Sequence, residues 1–193
     1  MKIALTKERK TPPDRRVVLS PEICREAIKL YPELEILVES SDIRIIDDAA
    51  YKDAGFKVTT NLTDCDVILG VKEVPNEALI PGKKYFFFSH TIKRQPYNRK
   101  LLRAVLEKNI ELYDHEVITS KNNLRLIGFG YYAGVVGAYN GIRTYGLKYD
   151  LFDLPKLEYV KDKVALVNEL HKINLPVIKI VLTGTGRVGN GSK

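Results

Sequence analysis

A lysine and a histidine stand just past two short apolar runs. Lys72 follows the run at 67–71, and His90 follows the aromatic run at 85–88 after one serine. Runs of this length with polar borders read as buried strands. In an open α/β sheet, ligands gather beyond the carboxyl ends of the strands. A lysine in such a place can act as a base when desolvation or a neighbouring cation lowers its pKa. A histidine exchanges protons near neutrality unaided. Paired across neighbouring strands, the two suit chemistry at an amine or imine carbon. Taken singly, each also reads as a solvated loop lysine or a hydrogen-bonding histidine.

Four more side chains could serve an acidic ligand in the same crevice. Arg16 precedes the run Val17, Val18, Leu19; its fork geometry suits a carboxylate, and the ordinary alternative is an exposed surface arginine. Lys93 follows His90 within a turn, next to Arg94. Glu116 and Arg125 flank the turn at 119–123, and for that pair a structural salt bridge is the favoured reading. His115 and His171 lack partners at metal-ligand spacing, so neither receives a function and no metal is expected. Cys24 and Cys65 form no C-x-x-C pair and read as small buried hydrophobes.

A different chemistry is written near the last residues. The apolar run at 177–182 enters a loop in which Gly184, Gly186 and Gly189 fit G-x-G-x-x-G. The first glycine of that motif permits a tight turn, the second a close approach to pyrophosphate, the third helix-on-strand packing. The helix that would hold the phosphates and the acidic residue for the ribose are not expected within the chain. The loop therefore reads as the start of a truncated nucleotide-binding domain.

The elements that must position these residues alternate in type. Strands are expected at 2–5, 34–38, 67–71, 85–88, 111–113, 124–129 and 177–182. Helices are expected from Pro21 to about Leu30, capped by Ser20, and at 47–55, ending on Gly55. Further helices are expected at 96–109, 130–146 and 159–173. Buried strands alternating with amphipathic helices predict a Rossmann-like, doubly wound α/β fold: a mostly parallel sheet with helices on both faces. The expected division is a substrate-binding domain at 1–150, a linker and helix at 151–175, and the first strand and loop of a second Rossmann domain at 176–193. The glycines of 130–146 leave a smooth face, read as a place of close packing more than as room for substrate.

With 45% hydrophobic and 28% charged residues, the composition is that of an ordinary globular protein. A net charge of +7 favours an anionic ligand over nucleic acid, because no dense Lys/Arg stripe is present. The uncharged stretch 126–142 carries five glycines and falls short of the roughly 20 apolar residues of a membrane helix. No signal peptide is evident at Met1, so a soluble, cytoplasmic protein is expected.

Several blocks resemble a known family. Lys7 and Glu8, followed by Arg16 to Pro21, look like the opening of the alanine dehydrogenase and pyridine nucleotide transhydrogenase superfamily. Within it, three blocks are more similar to the saccharopine dehydrogenases of the lysine-forming type: 70–75 around Lys72, 87–93 around His90, and 112–134 from Leu112 through Glu116 and Arg125 to Gly134. The likeness is collinear over the whole chain. It departs from the family in the variable positions of the glycine loop, Thr185 and Val188, and in a shorter stretch at 149–175.

The resemblance implies two Rossmann-like domains around a cleft, an NAD or NADP cofactor, and an amino-acid or opine substrate. It implies Lys72 and His90 as the acid–base pair, and Arg16, Lys93, Glu116 and Arg125 as the lining of a dicarboxylic substrate site. The expected activity is interconversion of saccharopine with lysine and 2-oxoglutarate. An alanine-dehydrogenase-like reaction on a small 2-oxo acid and a non-enzymatic binding module are the alternatives. The implied partner is a C-terminal nucleotide domain, with self-association left open.

Overall fold

Alternate residues of the apolar runs face opposite sides of one six-stranded sheet. Its strands are β1 (Lys2–Leu5), β2 (Glu35–Glu39), β3 (Lys57–Thr59), β4 (Val67–Lys72), β5 (Lys84–Phe88) and β6 (Glu111–Asp114). They lie in the order β3-β2-β1-β4-β5-β6, and every neighbouring pair is parallel. That is the doubly wound Rossmann order, with the chain reversing its direction of travel across the sheet between β1 and β4.

Period-two alternation builds two cores. On one face Ala4, Leu37, Ile68, Tyr85 and Phe87 pack with Leu101, Ala104 and Val105 of α3 (Arg99–Glu107). On the other, Leu5, Ile36 and Val38 pack with Cys24 of α1 (Pro21–Leu30) and Tyr51 of α2 (Asp48–Asp53). Sealing both faces with helices satisfies a parallel sheet whose strands are apolar on each side.

The computed structural model describes residues 1–193 and holds two compact units, Met1–Ile127 and Gly128–Lys193. In the first, the expected ends of α1 and α2 hold, while the helix expected at 96–109 is a 3-10 turn at Pro96–Asn98 followed by α3 over Arg99–Glu107. Ser20 accepts a hydrogen bond from the Ile23 amide with Pro21 at the first helical position, and Asp47 caps α2 by accepting from Ala50. Gly55 closes α2 at φ +92°, a conformation open to glycine.

Three further expectations are corrected. Residues 124–129 are not a strand: Arg125 makes one antiparallel bridge to Thr119, and 118–126 form a hairpin turn around Ser120 with no sheet beside it. The expected strand at 177–182 pairs with no neighbour, and Val177, Ile180 and Val181 are exposed; extended chain becomes strand only through a ladder partner. The expected helix at 159–173 begins later, as α5 (Lys163–His171), because the Asp162 carboxylate accepts from the Ala165 amide and fixes the start there.

The second unit contains α4 (Gly130–Lys148), α5 and α6 (Arg187–Ser192). Residues 128–150, assigned by sequence to the first domain, are thus counted with this unit. The helix after the glycine loop, expected to be missing, has its first turns as α6. Close packing explains only part of the smooth face of α4. A Cβ at Gly134 would collide with the Val188 carbonyl of α6, whereas Gly137 and Gly141 face open space.

Candidate active site at the carboxyl edge of the sheet

β4, β5 and β6 end side by side, and a polar side chain stands at or just past each end. Lys72 closes β4 opposite Phe88, the last residue of β5. His90 stands two residues further on, at φ +57°. A left-handed histidine is strained by roughly 1–2 kcal/mol, and the neighbourhood holds it: Asn98 Nδ2 donates to the His90 carbonyl at 3.0 Å, and the Lys93 amide does the same at 3.0 Å. Asp114 ends β6 buried. One of its oxygens accepts from Ser89 Oγ at 2.6 Å and the other from the Glu116 amide at 2.8 Å. This carboxylate therefore joins the turn carrying His90 to the turn carrying Glu116.

Glu116 is the hub. Its Oε2 lies 2.7 Å from His90 Nδ1, and its Oε1 lies 3.1 Å from Lys93 Nζ and 3.5 Å from Arg125 Nη1. The hydrogen bond from His90, with Lys93 beside it, holds the Glu116 carboxyl below its ordinary range against the opposing effect of burial. Lys93 Nζ also lies 3.2 Å from Nδ1; the shorter contact to an ionised carboxylate favours the proton on Nδ1, which leaves Nε2 to exchange one. The Arg125 guanidinium also lies over the Phe88 ring, 5.6 Å from its centre.

Lys72 belongs to a second group. Its amide and that of Val71 donate to the two oxygens of the buried Glu8, at 2.9 and 2.8 Å. Arg16 grips Asp14 through Nε at 2.9 Å and Nη2 at 2.5 Å. That grip is the main cause of Asp14's lowered pKa, and the Lys72 charge adds to it.

Of the six residues singled out by sequence, His90, Lys93, Glu116 and Arg125 thus meet in one network. Arg16 pairs with Asp14, and the Lys72 charge acts on the same carboxylate. The expected Glu116–Arg125 ion pair is present, with the Lys93 ammonium and the His90 ring on the same carboxylate. Sequence reasoning missed the supports Glu8, Asp14, Ser89, Asn98 and Asp114, and gave His115 no function. The signal available for Asp114 was its place at a strand end; nothing in the spacing marks Glu8, whose partners lie 63 and 64 residues away.

In the second unit, Gly184 sits at φ +90°, and Gly186 precedes α6. A Cβ on Gly189 would collide with the Gly184 carbonyl, so the third glycine is where turn and helix come closest. These are the backbone features that a dinucleotide phosphate loop needs at its first and third glycines. No group of three or more His, Cys, Asp or Glu is placed to hold a metal ion. No helix is long and apolar enough to cross a membrane.

With this geometry in hand, comparison with known proteins is decisive on kinship. The family described as alanine dehydrogenase/PNT, N-terminal domain, matches residues 4–136. The chain belongs to that family. Its relatives include the mitochondrial alpha-aminoadipic semialdehyde synthase of Rattus norvegicus, 38% identical over 146 residues, which are 76% of this chain and 16% of the rat protein. Another is the saccharopine dehydrogenase [NAD(+), L-lysine-forming] of Yarrowia lipolytica, 28% identical over 209 residues, covering 100% of this chain and 56% of that protein. The chain thus spans from a sixth to about half of these relatives.

Among solved structures of similar fold, the transhydrogenase from Sinorhizobium meliloti has a TM-score of 0.57 at 18% identity, over 75% of this chain and 42% of that one. An L-alanine dehydrogenase has a TM-score of 0.53 at 16% identity, over 77% of this chain and 41% of its own. At those identities the likeness establishes the Rossmann-like fold of the family.

Proposed function

We propose that this chain is the N-terminal, substrate-binding part of an NAD- or NADP-dependent amino-acid oxidoreductase of the saccharopine dehydrogenase type. The full protein would interconvert saccharopine with lysine and 2-oxoglutarate. The observation that carries the reading is Lys72 and His90 at the carboxyl ends of adjacent parallel strands, with His90 oriented by Glu116. In this reading the substrate domain is 1–150, 151–175 is the connection, and 176–193 opens the nucleotide domain.

The roles follow from charge and reach. Gly184, Gly186 and Gly189 would hold the dinucleotide's phosphates, and the bound nicotinamide supplies hydride acceptance at the carbon bearing the secondary amine. Lys72 takes the amine proton as the carbon–nitrogen bond becomes an imine. His90 Nε2 takes a proton from the water that adds to the imine carbon and returns it to the nitrogen of the resulting carbinolamine. The carbinolamine hydroxyl then gives up its proton, which passes by the same histidine to the nitrogen as the carbon–nitrogen bond breaks, so the lysine product leaves and the 2-oxo acid forms. Arg16 and Arg125 offer forks to substrate carboxylates, and Lys93 a point charge. A substrate carboxylate would take over the cations that Glu116 holds, leaving Glu116 to face the substrate's ammonium.

The test is turnover by a version of the protein extending through the nucleotide domain. Saccharopine with NAD or NADP should be oxidised, and alanine with the same cofactors should be a poor substrate. Preference for alanine would favour the alanine-dehydrogenase-like reading. Loss of both activities in a protein that still binds the dinucleotide would leave a non-enzymatic binding module. The 193-residue chain by itself is expected to show no dehydrogenase turnover.

A further inference from the structure

The last turn of β4 departs from regular pairing. Its register against β5 shifts between Leu69 and Lys72, the mark of a β-bulge, which re-aims the side chains that follow. Gly70 sits in this bulge, and a Cβ there would lie 2.8 Å from the Thr6 methyl, so the close approach needs glycine.

Two buried side chains from distant parts of the chain hold the irregular segment. From one side, the Glu8 carboxylate accepts from the amides of Val71 and Lys72. From the other, His115, just past β6, reaches across β5. Its Nε2 donates to the Gly70 carbonyl at 3.0 Å, and its ring meets Phe88 edge-on at 5.2 Å. The carbonyl can only accept, so the proton is on Nε2, and the buried Nδ1 has no partner. A second proton would put an unpartnered buried donor at Nδ1, and burial accordingly holds the His115 pKa below its ordinary value. His115 is therefore a neutral strut and not a proton carrier. Three successive residues of β4 are thus clamped: Gly70 at its carbonyl, Val71 and Lys72 at their amides.

We propose that His115 and Glu8 are positioning residues that hold the β4 bulge and thereby set where the Lys72 amine stands. The value of that placement for acid–base chemistry rests on the function proposed above; the clamp itself does not. His115→Leu removes the donor at similar bulk, and His115→Gln restores one near the Nε2 position. Glu8→Gln sets an amide donor against one of the two backbone donors.

The experiment is trace acetylation of the folded 193-residue protein across pH, reading by mass spectrometry the rate at Lys72 relative to the exposed Lys29. His115→Leu and Glu8→Gln should change that ratio on the order of fivefold, the scale of one lost buried hydrogen bond. His115→Gln should return it towards wild type. A merely structural role would lower the melting temperature and leave the ratio unmoved in the folded protein. An unchanged ratio in folded His115→Leu and Glu8→Gln overturns the proposal; if His115→Leu does not fold, Glu8→Gln decides alone. Because the readout needs no turnover, it separates this proposal from the functional one: full activity of Lys72→Met in the longer protein would sink the function and leave the clamp standing.

Discussion

Nδ1 of His90 lies 2.7 Å from Oε2 of Glu116, although the two residues are 26 positions apart in the chain. Parallel pairing of β5 and β6 produces the contact, with Phe87 beside Asp114 at the strand ends. Asp114 then pins the turns that follow both strands. Histidine orientation at this edge is a product of sheet register.

Glu116→Gln should lower the melting temperature at pH 7 by about 2–4 °C, as expected for roughly 1 kcal/mol from a partly exposed charge network. The sign with pH follows from the depressed Glu116 pKa. The stabilisation is fully present above the ordinary value of 4.5 and is lost as pH falls through the lower folded value. Thermal melts of both proteins from pH 7 to pH 3 should show a constant gap that closes below 4.5. A gap that widens in acid contradicts this account.

Asp114→Ala should cost about 1–3 kcal/mol, because it strands the buried Ser89 hydroxyl and the Glu116 amide without an acceptor. Urea unfolding measures this directly. Asp114→Asn, which keeps one acceptor oxygen, should cost less.

In a protein carrying the nucleotide domain, Lys72→Met and His90→Gln should each reduce kcat by about 10²–10⁴, the usual range for a lost acid–base group. Arg125→Leu should act mainly on KM, raising it about tenfold or more through a lost charge-assisted contact to a substrate carboxylate. Steady-state kinetics with saccharopine separates the two patterns; a pure KM effect at Lys72 argues against its role.

Cys24 is fully buried, and burial raises its thiol pKa to about 11. Cys65 is also fully buried, with its pKa raised for the same reason. Neither should react with a disulfide reagent at pH 8 in the native protein, and both should react in denaturant. Rapid native labelling of either would show that its part of the core opens readily.

How much of this was legible in the sequence varied with the range of the interactions involved. Ser20, Pro21, Asp47 and Gly55 mark helix ends because capping is satisfied within four residues. The run at 67–71 reads as a strand because both faces of a parallel sheet are buried. The runs at 124–129 and 177–182 are also largely apolar, each interrupted by one cation, Arg125 or Lys179, and became no strand, since a strand exists only where a partner ladder lies alongside.

The site divided in the same way. Lys72 and His90 were recognisable as polar residues closing apolar runs, and their residue types limited the chemistry to proton exchange. Their supports were not recognisable. Glu8 acts on amides more than sixty residues away, His115 crosses β5 to reach Gly70, and Glu116 gathers His90, Lys93 and Arg125. Sequence by itself marked candidate proton-exchanging groups and the apolar runs that end in them. Tertiary structure alone decided which carboxylate faces which cation and where β4 bulges, because those outcomes depend on strand order and register, to which no local spacing is sensitive.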